Sequence, residues 1–371
     1  MLHGPQLLRS IWRQPPYNSI ALRINLFFRV ALGLTSLFVT WIPAKLLWRN
    51  GEFAGTVFCV TLLVINFFTV INALIWHDND VDKWWDGHGW CDFQVYIQFA
   101  IHSAFNISLF EIMRGLASKV AFNRAVKPTR SERRRERIVS ALVIFTVPFL
   151  QVVLHYFAAF TRYNVSTLVG CTPNYLPTWI ALVFYVIPIP VFAVAAAIMA
   201  CVTFHRYRKV EKITREISRS QGAIAAARQD RVRKKLYFIT LVAIIFVLPL
   251  TTTMMVFYIL DAMPLERYDF HSLHVGPNPF NSSFINFTTS HKMGFSKLAT
   301  DFVAEVAGIF VFIPFGTTPE ALNMYRKILL NAGLGYVFPS LRSEYEPSPT
   351  AGFKFSWGSI SLKGKSLLAS L

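Results

Sequence analysis

Four acids, Asp78, Asp80, Asp82 and Asp86, crowd the fourteen residues from His77 to Trp90, with Trp84, Trp85 and Trp90 among them and Cys91 just beyond. Carboxylates at alternate positions are cation ligands, and Asp78-x-Asp80-x-Asp82 opens like a helix-loop-helix calcium loop. Such a loop needs Gly at its sixth place for the turn and Glu at its twelfth for bidentate ligation. Here those places hold Lys83 and Gly89, so the match fails. Two readings stay open: a solvated loop with interfacial tryptophans, or a ligand-capturing loop carried by Asp82, Trp84, Trp85 and Asp86. Further on, Gln94, Gln98, His102 and Asn106 recur in steps of four, which keeps them on one slowly winding helix face. Asp301 and Glu305 repeat that spacing near the chain's other end. Rows of this kind bind a ligand or glue helices together. The paired carboxylates call for a proton or a cationic partner, with Arg23 and Arg29 as candidates.

Covalent chemistry has little support. The chain has no His-Glu-x-x-His helix, no Gly-x-Ser-x-Gly elbow and no phosphate-cradling Gly loop. His102 and His155 leave a metal-dependent intramembrane hydrolase as a remote alternative, but neither a metal nor a cofactor is called for.

The elements that must position these residues follow from composition. Of 371 residues 54% are hydrophobic and only 15% charged, against roughly 25% charge in an average soluble domain. The net charge of +17 is not that of a nucleic-acid binder, because the basic residues fall in blocks between long apolar stretches rather than over a folded surface. A membrane-crossing helix needs roughly 20 mostly apolar residues. Seven stretches qualify, at about 24–42, 53–76, 91–113, 138–160, 177–204, 236–260 and 298–320. The expected fold is an all-α membrane protein, a seven-helix bundle spanning 24–320, with tails at 1–23 and 321–371. A seven-span transporter or channel shares that architecture, but the first and last three spans show no common motif.

Lys and Arg orient the bundle. One set of connections (43–52, 114–137, 205–235 and the tail 321–371) holds 28 of them, and the other set holds 7. The first set is therefore expected inside and the N-terminus outside. The sequons at Asn164, Asn281 and Asn286 then fall outside, where glycosylation occurs; that at Asn106 lies within a span. Cys91 and Cys171 share the oxidising face, so a bridge tying the second outer loop to the third span is expected, with two unpaired thiols as the alternative. Cys59 and Cys201 are expected as free thiols. The inner basic runs "RSERRRER" (130–137), "FHRYRKVEKITREISR" and "RQDRVRKKL" suit anionic lipid headgroups or a cytosolic partner. In the second case Arg114, Arg206, Arg208, Arg233, Lys234 and Lys235 are the candidate contacts.

Several of these stretches carry a resemblance. "INALIWHDNDVDKWWDGHGWCDFQVYIQFA" (71–100) resembles the end of the second span, first outer loop and start of the third span in fungal a-factor-type lipopeptide pheromone receptors. "LFEIMRGLA", "LHYFAAF" followed by "RYNVSTLVGC", "FIPFGTTPEALNMYRKIL" and "IPAKLLWRNGEFAG" are similar to further pieces of that family, in matching order from about residue 40 to about 330. Where the family has a Trp-Pro pair in the fifth span, this chain reads "YVIPIPV". The Asp-Arg-Tyr and Asn-Pro-x-x-Tyr switches of rhodopsin-like receptors are absent from both. The resemblance implies a class D G-protein-coupled receptor in the plasma membrane that performs no enzymatic reaction. It implies a farnesylated peptide pheromone as ligand, a heterotrimeric G protein as partner, and contacts with membrane lipids; a homodimer stays open.

Overall fold

A computed structural model of the chain describes residues 19–120, 129–217, 264–271, 284–293, 295–333 and 338–344, with isolated positions between them. The sixth expected span lies largely outside the described residues, as do Asn281, Arg233, Lys234 and Lys235.

Local chemistry sets the helix ends. Ser19 accepts a hydrogen bond from the Leu22 amide at 3.1 Å and starts α1 (Ile20–Arg49), which runs a turn or more beyond the expected span at each end. Gly51, at a φ of +73°, turns the chain into α2 (Phe53–Ile75). The long α3 (Trp90–Val120) follows the acidic loop. A capping box between Thr129 and Glu132 opens α4 (Arg130–Ala158), satisfying two amides that a helix start leaves orphaned. Before α5 (Pro188–Ile217) stand a short turn, Trp179–Ala181, and a π-helical turn, Leu182–Val186. Pro188 and Pro190 lack amide hydrogens, and the wider turn absorbs the disturbance. A second π-helical turn, Phe312–Gly316, contains Pro314 and follows α6 (Phe295–Val311). Thr318 then caps α7 (Pro319–Asn331), so the expected seventh span ends in a break and a second helix.

In the described bundle α3 packs on α2, α4 and α5, while α6 packs on α1 and α2. Large apolar side chains face outward, among them Phe27, Phe38, Leu142, Phe149 and Ile198. Such a surface is a liability in water and is what hydrocarbon accommodates. Among the described residues four helices are long and apolar enough to cross a membrane: α1, α2, α4, and Trp179–Arg206, which takes in the turns before α5. By the same measure α3 is too polar, since its row of Gln, His and Asn lowers its hydropathy, and α6 has only 17 residues.

Strands β1 (Tyr163–Ser166), β2 (Gly170–Thr172) and β3 (Ile285–Thr288) form a sheet in the order β2-β1-β3, which amends the all-α expectation. Val165 lies opposite Cys171 on one side and Phe287 on the other. The strands are short and rich in β-branched and aromatic residues, and they close a small core of their own with Trp76, Val81, Trp84, Cys91 and Val95.

Candidate ligand-binding site

Beneath the β1–β2 turn, between α2, α3 and α6, lies a cavity of about 20 Å³, room for roughly one or two waters. Its polar lining is Thr69 and Asn72 from α2, Gln94, Gln98 and His102 from α3, and Asp301 from α6; Ile65, Phe68, Ile101 and Val169 complete it. Steps of four on α3 thus bring three members of the row to one cavity. The fourth, Asn106, instead donates to the His102 carbonyl at 2.9 Å. Gln94 donates to the Cys171 carbonyl at 3.3 Å. The Oε1 atoms of Gln94 and Gln98 are buried and have no hydrogen-bond partner among the described residues. They are ready acceptors for a ligand.

Asp301 faces Arg29. That arginine is fully buried in α1 and forms an ion pair with Asp301, donates to the Leu298 carbonyl at 2.6 Å, and lies over the Phe302 ring at 5.1 Å. Arg23, the other candidate, is exposed. Glu305 does not line the cavity. It is fully buried further along α6, and neither of its carboxylate oxygens has a hydrogen-bond partner among the described residues.

The roof is fastened at several points. Cys91 at the start of α3 and Cys171 in β2 form a disulfide, with Cα atoms 5.2 Å apart; Cys59 and Cys201 are free. Asn72 donates to the Val169 carbonyl at 2.9 Å and accepts from the Trp90 indole at 3.1 Å. Gly170, at a φ of +73°, sits against the Asn72 side chain where no Cβ would fit. Arg162 makes two hydrogen bonds to Asp92, each of 2.7 Å, and that carboxylate raises the guanidinium's already high pKa. Burial pushes the Tyr163 phenol up to about 12, so it stays a donor, to the Asp86 carbonyl at 3.0 Å. Asn72 escaped the sequence reading, although Asn66, Thr69 and Asn72 recur every three residues in an otherwise apolar helix.

The acidic loop stands beside this roof and outside the cavity. Trp84 is buried and gives its indole hydrogen to Asp78 at 3.2 Å, and Trp85 stacks on Trp76 with ring centroids 6.2 Å apart. Asp82 is exposed and Asp86 half-buried. Asn164 lies in the central strand with its amide engaged by Ser166, Thr172 and Thr288, and its register partner is Asn286.

At the opposite end of α3, Arg114 grips Glu111 through two hydrogen bonds of 2.8 and 2.7 Å, and Ser140 of α4 donates to the same carboxylate at 2.8 Å. Arg206 of α5 reaches the Ala117 carbonyl at 3.1 Å, while Arg208 lies over Phe204 at 4.8 Å. His155 contacts the Tyr175 hydroxyl at 3.0 Å and packs on Tyr96. It therefore does not join His102 as the hydrolase reading requires.

A polar cavity under a tethered roof, with a charged clasp at the other end of its central helix, is an arrangement suited to binding and relaying. A family model described as pheromone A receptor (STE3) matches residues 28–335. The chain belongs to the pheromone A receptor family. It is 25% identical over 311 residues to the pheromone a factor receptor of Saccharomyces cerevisiae, covering 82% of this chain and 63% of that protein. Pheromone receptor 1 of Ustilago hordei is 23% identical over 296 residues, covering 77% of this chain and 78% of that one. The pheromone B alpha 3 receptor of Schizophyllum commune is 28% identical over 164 residues, 43% of this chain and 25% of that one. The chain thus spans less than two thirds of the length of the yeast relative. These relatives are pheromone receptors, which are not enzymes.

Proposed function

We propose that this chain is a seven-span plasma-membrane receptor, N-terminus outside, that binds a farnesylated peptide pheromone and signals through a heterotrimeric G protein. The family match over residues 28–335 carries the reading. It is supported by the cavity beneath the disulfide-tied roof, where Gln94, Gln98, His102 and Asp301 converge from two helices. A cavity of about 20 Å³ is far smaller than a lipidated peptide. Binding therefore favours a conformation in which α2, α3 and α6 stand further apart, a population shift driven by differential affinity. The clasp of Arg114, Glu111 and Ser140 is the inner element that such a shift would loosen, and the basic residues Arg206, Arg208, Arg233, Lys234 and Lys235 are the proposed docking contacts for the G protein. Expression in fungal cells that lack their own receptor and carry a pheromone-pathway reporter tests the reading. A dose-dependent response to one of a panel of farnesylated peptides, and none to the same peptides without the lipid, is expected. Silence from a receptor shown to reach the surface would overturn it.

A further inference from the structure

Among the described residues, the buried charges between α1, α2 and α6 do not balance. Arg29 and Asp301 form one ion pair. Glu305 is fully buried beside them, with Arg29 and Asp301 as its charged neighbours, and its two oxygens have no hydrogen-bond partner among the described residues. Arg29 is turned toward Asp301 and the Leu298 carbonyl. An ionised Glu305 thus leaves the group one negative charge in excess, and an unpaired charge is costly inside a bilayer. What is missing among the described residues is a single positive charge.

The surroundings of Glu305 supply further oxygen atoms. Asn66, fully buried in α2, uses its amide hydrogens on Ser36 Oγ at 2.9 Å, the Leu62 carbonyl at 2.9 Å and the Ala304 carbonyl at 3.3 Å. Its Oδ1 has no partner among the described residues. Because Ala304 adjoins Glu305, these bonds hold the Asn66 amide against the backbone of α6 next to Glu305. Gly33 lets α1 close the third side: a Cβ there would stand 3.7 Å from Glu305 Oε1 and 4.0 Å from the Asn66 carbonyl oxygen. Ser36, one turn along α1, is fully buried as well. Three packed helices therefore carry a buried carboxylate, a buried amide oxygen and a buried hydroxyl on neighbouring turns.

We infer that this cluster binds a sodium ion. Oxygen donors suit a hard cation, and a single charge restores neutrality where a divalent ion would leave an excess of one. Calcium also takes 6–8 oxygens, usually from several carboxylates, more than the described residues gather here. A proton would neutralise Glu305 and let it donate to one neighbouring oxygen, but the other carboxylate oxygen would stay without a partner among the described residues. The ion ties α1 and α2 to α6, next to the cavity floor.

The test needs only the purified receptor in detergent, and so stands apart from any pheromone. Melting is followed in sodium, potassium and choline chloride at equal ionic strength. About 150 mM sodium is expected to raise the melting temperature by about 3 °C over choline, with potassium giving less. Glu305→Gln should abolish the sodium increment, and Ser36→Ala should reduce it. Sodium-23 NMR line broadening by the wild type provides a readout that does not depend on any variant folding. An equal response to all three salts, an increment that survives in Glu305→Gln, or absence of line broadening would overturn the site. So would stabilisation on acidification with no sodium dependence, which would identify the missing charge as a proton.

Discussion

Removing Arg29 should destabilise the receptor more than removing its partner Asp301, although the two form one ion pair. Taking one member from a buried pair costs about 3–5 kcal/mol, because a buried charge is left uncompensated. Here the two deletions are unequal. Without Asp301 the guanidinium keeps the Leu298 carbonyl at 2.6 Å, the Phe302 ring at 5.1 Å and the nearby carboxylate of Glu305. Asp301→Asn should therefore cost about 1–3 kcal/mol, the range for a lost charged hydrogen bond. Arg29→Met instead deprives both Asp301 and Glu305 of the guanidinium, which calls for the upper figure of about 5 kcal/mol. At about 2 °C per kcal/mol for a chain of this size, the expected drops are about 10 °C for Arg29→Met and about 2–6 °C for Asp301→Asn. The assay is thermal unfolding of purified protein in one detergent and one salt. Replacing Arg29, Asp301 and Glu305 together with Met, Leu and Leu should recover most of the loss, since an apolar cluster of similar volume replaces the charges. Equal drops, or a larger one for Asp301→Asn, would refute the reasoning that Glu305 serves as a second acceptor.

Other predictions concern the roof and the clasp. Replacing Cys91 and Cys171 with Ala opens a link with a sequence separation of 80, for which the chain-entropy model gives about 4.5 kcal/mol as an upper figure; a sharp fall in melting temperature and surface delivery should follow. Asn72→Ala orphans the Val169 carbonyl and the Trp90 indole, at about 1–3 kcal/mol for each buried group, and should lower pheromone potency in the reporter assay. Glu111→Gln weakens the bonds from Arg114 and Ser140 and should raise ligand-independent reporter activity several-fold, whereas unchanged basal activity would count against the clasp. Asp82→Asn and Asp86→Asn, both outside the cavity, should shift the half-maximal pheromone concentration less than about threefold, while Gln98→Ala should shift it by tenfold or more.

The sequence told most about the elements and least about how they meet. Apolar runs located the described helices because hydrocarbon demands long uncharged stretches, but helix ends overran them wherever capping residues such as Ser19 and Thr129 extended the ladder. The step of four on α3 was legible as a face, and the cavity occupies the first three of its four residues. That Asp301 would take Arg29 rather than Arg23 was not legible, since either arginine lies within a turn or two of the same helix end. The acidic loop was readable as a connection between two apolar runs, not as part of a packed core. The loss of Trp84 to that core depends on β3, whose register is set by pairing across more than a hundred residues. Asn72 was visible in the sequence, but an amide in an apolar helix shows its role only when the β1–β2 turn lands on it.

On this reading, a lipidated pheromone enters the bundle between α2, α3 and α6. Photolabelling tests it most directly, with an active farnesylated peptide from the reporter screen carrying a photoreactive group in its C-terminal residue. Labelled peptides from Phe53–Ile75, Trp90–Val120 and Phe295–Val311, suppressed by unlabelled pheromone and by Gln98→Ala, are the predicted result. Competable labelling confined to α4, or to the acidic loop alone, would contradict the account.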